Sequence, residues 1–141
     1  MLNKEKELKK FFNLAYGEKT PSRKEWESFY SQQVKFIDPT QEKNGIDAYI
    51  KAQDGLIKRC DDIYLESHSM AINKNIAFVE WTMGLKIKGL EFLYEGTTRL
   101  IFDEEGKVKE HRDYFDFCSG TFGNIPVIGV FFRWLYSKFV D

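Results

Sequence analysis

Residues Glu110–Phe117, EHRDYFDF, decide how the rest of this chain is read. They follow the turn signal Asp103-Glu104-Glu105-Gly106, and Tyr114, Phe115 and Phe117 are aromatic, so the stretch is predicted to be a β-strand. A strand alternates its faces. Strict alternation puts His111, Asp113, Phe115 and Phe117 on one side, and Val108, Glu110, Arg112, Tyr114 and Asp116 on the other. A histidine and a carboxylate thus share a face with two phenylalanines. Whether that face is interior or wet determines whether the protein has a chemical site.

The clearest strand lies upstream. From Ile76 to Lys88 the odd positions are Ala77, Val79, Trp81, Met83, Leu85 and Ile87, and the even positions after Phe78 are Glu80, Thr82, Gly84, Lys86 and Lys88. That period of two marks a half-buried strand. IYLESHSMAI (63–72) precedes it across Asn73-Lys74-Asn75, and EFLYEGTTRLIF (91–102) continues the sheet. The N-terminal half has a helical period instead. Leu8, Phe11, Phe12 and Ala15 form one stripe, ended at Gly17. Ser22 and Glu25 make a capping box after Pro21, with Trp26, Phe29 and Tyr30 as the buried face. VKFID (34–38) is a short strand stopped by Pro39. Ile46 to Arg59 is a helix whose inner face carries Ile46, Tyr49, Ile50, Gln53, Leu56, Ile57 and Cys60, with Gln53 its one polar member. Helices followed by long strands predict an α+β fold, one domain over residues 1–141.

Composition narrows the function. Aromatic residues make up 16% of the 141, including 13 Phe, which points to a core or cavity walled by rings. A formal net charge of −1 gives no electrostatic case for nucleic acid. MLNKEKELKKFF lacks the apolar stretch of a signal peptide, so a cytoplasmic protein is expected. Cys60 and Cys118 are read as reduced thiols. With His68 and His111 they have no metal-ligand spacing, so neither a metal nor a cofactor is expected. The tail from Ile125 to Val140 is apolar nearly all round. At about 24 Å as a helix it falls short of the ~30 Å hydrocarbon layer. A helix docked on the domain or at a dimer interface is expected, with a cavity lid or a membrane-surface contact as alternatives.

Alternation also assigns inward polar groups. Asp38 shares a face with Val34 and Phe36, and Asp113 with Phe115 and Phe117. Both carboxylates then look into one apolar space lined by Trp81 and Met83. A carboxylate there must find partners or take up a proton, which suits acid–base work near neutral pH. Plainer readings stand beside this one. Asp38, before Pro39, is a turn cap; Asp113 pairs with Arg112 or Arg99 at a wet sheet end; His111 is a satisfied interior histidine; Trp81 and Met83 are core. Arg112 and Asp116 form a surface pair, and His68 has no role.

In order and spacing, the helices, FIDPTQEKNGIDAYIKA (36–52) and FDEEGKVKEHRDYFD (102–116) resemble the nuclear transport factor 2-like superfamily over most of the chain. The resemblance implies a cone-shaped α+β barrel of the cystatin-like kind. A strongly curved antiparallel sheet, wrapped by the N-terminal helices, encloses a pocket, and an apolar C-terminal helix follows. Ketosteroid isomerases, limonene epoxide hydrolases, polyketide cyclases and scytalone dehydratase use that pocket. Asp38 falls at the proton-shuttling base of the isomerase, Thr98 near its second oxyanion acid and Leu14 near its tyrosine, for which Tyr30, Tyr49 or Tyr16 would substitute. Asp113 matches the acid–base aspartate of the epoxide hydrolase, whose arginine and second aspartate fall at Trp81 and Met83. Polyketide cyclases rely on one aspartate in this last-strand region. The expectation is therefore a homodimeric protein that binds an apolar small molecule and performs cofactor-free isomerisation, cyclisation or water addition. Asp113 would be the base, His111 would orient or protonate, and Asp38 would stand at the mouth. Trp81, Met83, Tyr30, Tyr49, Thr98, Phe115 and Phe117 would contact the substrate. A carrier or dimerisation module without turnover is the alternative.

Overall fold

The alternating run is a strand whose inner row is closed to water: Ala77, Val79 and Trp81 are buried, while Phe78, Glu80 and Lys86 face out. The computed structural model describes residues 2–16 and 19–140, so the helix end expected at Gly17 lies outside the described residues. Three helices and two strands come first: α1 (Leu2–Ala15), α2 (Arg23–Phe29), β1 (Tyr30–Asp38), β2 (Gln41–Asn44) and α3 (Ile46–Arg59). A meander follows in β3 (Asp62–Asn73), β4 (Ile76–Ile87), β5 (Leu90–Phe102) and β6 (Val108–Phe115), then α4 (Phe117–Phe122) and α5 (Ile128–Val140). The strands make one six-stranded sheet in the order β2-β1-β6-β5-β4-β3.

The sheet departs from the expected all-antiparallel form at one junction. β1 runs parallel to β6, because the meander brings its last strand back beside β1 in the same direction. β1 is also longer than VKFID. It begins at Tyr30, which is both the C-cap of α2 and the first strand residue, so Tyr30 points into the core from the sheet rather than from a helix. The polar edge strand β2 gave no apolar alternation to read, and its lysine and glutamate suit an exposed edge.

β6 contains the correction that matters for the site. Register passes from Ile101 opposite Glu110 to Phe102 opposite Val108, so one extra residue bulges at Lys109. The bulge resets the phase. Val108 and His111, on opposite sides under strict alternation, are both buried inward. The strand then stops at Phe115. Asp116 caps α4 by accepting from Ser119 N at 2.9 Å, so Phe117 is a helix residue.

The core lies between the concave sheet and the first three helices. Phe11 stacks on Phe29 at 3.8 Å and meets Trp26 edge-on at 5.6 Å, and Trp26 meets Tyr49 at 5.6 Å. Ser22 and Glu25 form the expected capping box, which sets the start of α2 and the direction of Trp26. On β5 the inner row runs Tyr94, Gly96, Thr98, Leu100 and Phe102, and the gap at Gly96 holds the indole of Trp81. A Cβ at Gly96 would lie 2.7 Å from Trp81 Cη2 and 2.7 Å from the Tyr114 carbonyl. At Gly55, in α3, the nearest atom to an added Cβ is Arg59 Nη1 at 3.5 Å. Gly96→Ala is therefore expected to lower unfolding stability by about 1–3 kcal/mol through overpacking. Gly55→Ala should be neutral or stabilising by up to ~1 kcal/mol. Urea denaturation of both variants checks the contrast.

Candidate functional site

His111 and Asp113 sit two residues apart on β6 beyond the bulge, so their side chains share the concave face. Their separation lets them bond directly: His111 Nε2 and Asp113 Oδ1 are 2.8 Å apart. The other ring nitrogen, Nδ1, is 2.8 Å from Tyr30 Oη, and Tyr49 donates to Tyr30 Oη at 2.9 Å. From the neighbouring strand Thr98, the cross-strand partner of Asp113, donates its hydroxyl to the same Oδ1 at 2.5 Å. Trp81 Nε1 donates to Thr98 Oγ1 at 2.7 Å.

Donor counting fixes the direction of this row. Tyr30 already accepts from Tyr49, so its own hydrogen goes to His111 Nδ1. The imidazole is then neutral, with its proton on Nε2, and donates to Asp113. Every buried donor in the row has an acceptor. Both bonds to Asp113 fall on Oδ1, and Oδ2 has no hydrogen-bond partner among the described residues. The Asp113 side chain is 18% exposed, against 8% for His111.

A hollow of about 170 Å³ opens beside this carboxylate, walled by Phe36, Trp81, Met83, Tyr94, Phe115 and Phe117. A smaller space of about 30 Å³ adjoins it, bordered by Tyr30, Tyr49, Thr98 and His111. The two share Tyr16, Trp81, Met83 and Asp113, and between them they bring together all ten expected site residues. Phe117 arrives from α4 and stacks parallel to Tyr94 at 6.4 Å, rather than following Phe115 along a strand. Thr98 and the two inner tyrosines spend their hydroxyls on the row.

Asp38 stands at the rim in the plainer of its two readings. Oδ1 accepts from Thr40 N (2.7 Å), Thr40 Oγ1 (2.8 Å) and Gln41 N (3.0 Å), and Oδ2 accepts from Gln41 Nε2 (3.1 Å). It holds the β1–β2 turn. The arginine partners considered for Asp113 are elsewhere: Arg99 pairs with Glu110, and the Arg112 guanidinium lies over the Tyr114 ring. The expected Arg112–Asp116 pair is replaced by that ring contact and by the α4 cap. His68 bonds Thr82 Oγ1 at 2.8 Å on the outer face. Leu14 does not line either space. Among the described residues no three His, Cys, Asp or Glu side chains group to hold a metal.

Further residues line the two spaces, among them Gln53 and Tyr16, which the resemblance offered only as a substitute tyrosine. Tyr16, just after α1, donates to Gln53 Oε1 at 2.5 Å, which accounts for the lone polar residue on the apolar face of α3. That odd residue was the available signal. Burial pushes the Tyr16 phenol far above its ordinary 10.0, and the charges of Asp113 and Asp38 push it the same way. Burial likewise raises Tyr30 and Tyr49.

A family model described as the SnoaL-like domain matches residues 8–111. No curated protein matches the chain in sequence. Among solved structures, a SnoaL-like protein from Jannaschia sp. CCS1, provisionally a polyketide cyclase, has a TM-score of 0.74 at 16% identity, covering 89% of this chain and 92% of that one. An LEH-like epoxide hydrolase from M. tuberculosis has a TM-score of 0.66 at 15% identity, covering 96% and 93%. An NTF2-like protein of unknown function from Exiguobacterium sp. 255-15 has a TM-score of 0.67 at 22% identity, covering 78% and 98%. At these identities the likeness is one of fold.

The raised phenols set an alkaline limit. Each folded pKa lies above its unfolded value, so the folded state holds these protons more tightly. Their contribution is whole below about pH 10 and is lost as pH climbs through the folded values. In an absorbance titration, Tyr16, Tyr30 and Tyr49 are expected to ionise only together with the loss of near-UV dichroism. Smooth ionisation of all seven tyrosines of the folded protein near pH 10 would contradict the burial.

Proposed function

Because the chain belongs to the SnoaL-like domain family and keeps one unpartnered carboxylate oxygen beside a ring-walled hollow, we propose that it binds a small apolar carbonyl compound and moves a proton on it without a cofactor. Asp113 is the base. Its Oδ2 takes a proton from the carbon next to the substrate carbonyl. Returning that proton to another carbon isomerises the substrate, and attack of the carbanion on a second carbonyl cyclises it. His111 and Thr98 are positioning residues: they fix Oδ1 from two sides and so fix where Oδ2 points. Tyr30 and Tyr49 hold the histidine tautomer, since a proton on Nδ1 would leave the Tyr30 hydrogen without an acceptor.

Size sets the substrate class. Pockets for drug-sized ligands run to roughly 300–1,000 Å³, and an apolar cavity of about 150 Å³ takes benzene. A hollow of about 170 Å³ suits one ring or a short branched chain and is too small for a fused polycycle. The observation that carries the reading is the double anchoring of Asp113 on one oxygen. One observation favours the carrier reading as second choice. The two phenols at the main hollow are committed to the protein, Tyr16 to Gln53 and Tyr94 to Thr121. Tyr16, whose hydrogen goes to Gln53, has none left to hold an oxyanion.

Deuterium uptake at the α-carbon of six-membered cyclic ketones, followed by NMR in heavy water, tests the chemistry. The native protein is expected to accelerate exchange, and Asp113→Asn to lose roughly 100-fold or more while still broadening the ketone signals on binding. Equal exchange by the two proteins removes Asp113 as the base. Binding without exchange by the native protein selects the carrier.

A further inference from the structure

Ten of the fifteen large apolar side chains exposed on the described surface lie within residues 122–140, so this one segment is a concentrated patch rather than ordinary scatter. α5 docks through α4. Phe132 meets Phe122 at 5.9 Å, Gly129 sits under the Gly123 carbonyl where a Cβ would come within 2.6 Å, and Arg133 Nη1 donates to that carbonyl at 2.8 Å. Next to that docked face run Ile128, Phe131, Leu135 and Phe139, a single helical stripe that is 48%, 59%, 37% and 84% exposed.

Charge narrows what covers that stripe. Residues 117–140 contain Arg133 and Lys138 and no Asp or Glu; Asp116, which accepts from Tyr136 of α5 at 3.4 Å, and Asp141 flank them. Lys138 Nζ lies over the Trp134 ring at 5.7 Å, so a cation and an indole border the stripe together. A second copy of the stripe itself would bring another Lys138 and no carboxylate. An anionic lipid surface offers what the patch lacks: negative headgroups above a layer of hydrocarbon. Among the described residues no helix is long and apolar enough to cross a membrane.

We infer that α5 lies in the plane of an anionic membrane surface. Ile128, Phe131, Leu135 and Phe139 enter the acyl layer, with Trp134 and Lys138 at headgroup level. The inference rests on the surface and holds whatever the cavity binds.

The full chain is mixed with sucrose-loaded vesicles of phosphatidylcholine alone or with about one-quarter phosphatidylglycerol, at ~0.1 M salt, and sedimented. Pelleting with the anionic vesicles is expected, reduced by added salt and weakened roughly tenfold by Lys138→Glu. Phe131→Ser with Phe139→Ser should abolish it while leaving the thermal melt unchanged, because both side chains are exposed. Failure to pellet with anionic vesicles overturns the inference, as does equal pelleting by the double variant. A dimer by light scattering that ignores vesicles and is split by the double variant would overturn it too, making α5 a contact between copies.

Discussion

A carboxylate beside an apolar hollow must be given hydrogen-bond donors, and much of this molecule is arranged to supply them to Asp113. The two donors that reach it belong to different strands. Thr98 is held by Trp81 from β4, and His111 by Tyr30 from β1, which is held by Tyr49 from α3. The polar row therefore ties four strands and a helix together across the core. Replacing any member leaves a buried group without a partner, at about 1–3 kcal/mol each. Even the absence of a side chain at position 96 belongs to this scheme, since the indole that anchors Thr98 fills the space.

The sequence pattern made some of this legible and hid the rest for identifiable reasons. β4 could be read because its inner row is long and uninterrupted. β2 could not, since Gln41–Asn44 has no apolar member and owes its pairing to the Asp38 turn. The parallel β1–β6 contact depends on where the meander ends, which no local pattern encodes. The bulge at Lys109 carries no glycine or proline to mark it. It spoiled the reading of Val108, yet left His111 and Asp113 in phase because both lie beyond it. Asp38 was ambiguous from the start, and four donors from Thr40 and Gln41 decide it. The Arg112–Asp116 pair failed because the strand stops at Phe115, two residues earlier than its aromatic pattern suggests. Gln53 was visible as an oddity, but its partner Tyr16 comes from a different helix end and could not be inferred from spacing.

Fold and chemistry separate cleanly along the chain. The family match ends at His111, two residues before the proposed base. The similar solved structures include a provisional cyclase and an epoxide hydrolase on one scaffold, so architecture alone does not choose between reactions. The choice lies in the side chains around the carboxylate. Trp81 and Met83 occupy the positions at which the resemblance to limonene epoxide hydrolase places an arginine and a second aspartate. With those two positions apolar, the arginine–aspartate pair that the resemblance places there is missing, and a single-base proton transfer makes the smaller demand.

The last thirty or so residues obey different rules from the rest. Among the described residues every buried apolar core side chain lies between Leu8 and Val108, and the one buried residue of α5 is a glycine. The core therefore does not explain why α5 is so apolar. Its approach is strained as well: Val127 has φ 71°, a left-handed backbone that disfavours a β-branched residue, and its side chain is 82% exposed, so burial does not offset the strain. Exposed rings at this density are an aggregation hazard in water. A domain that gains no core from such a helix has reason to keep it if something outside the chain covers it, and Lys138 beside Trp134 is the feature from which we infer an anionic cover.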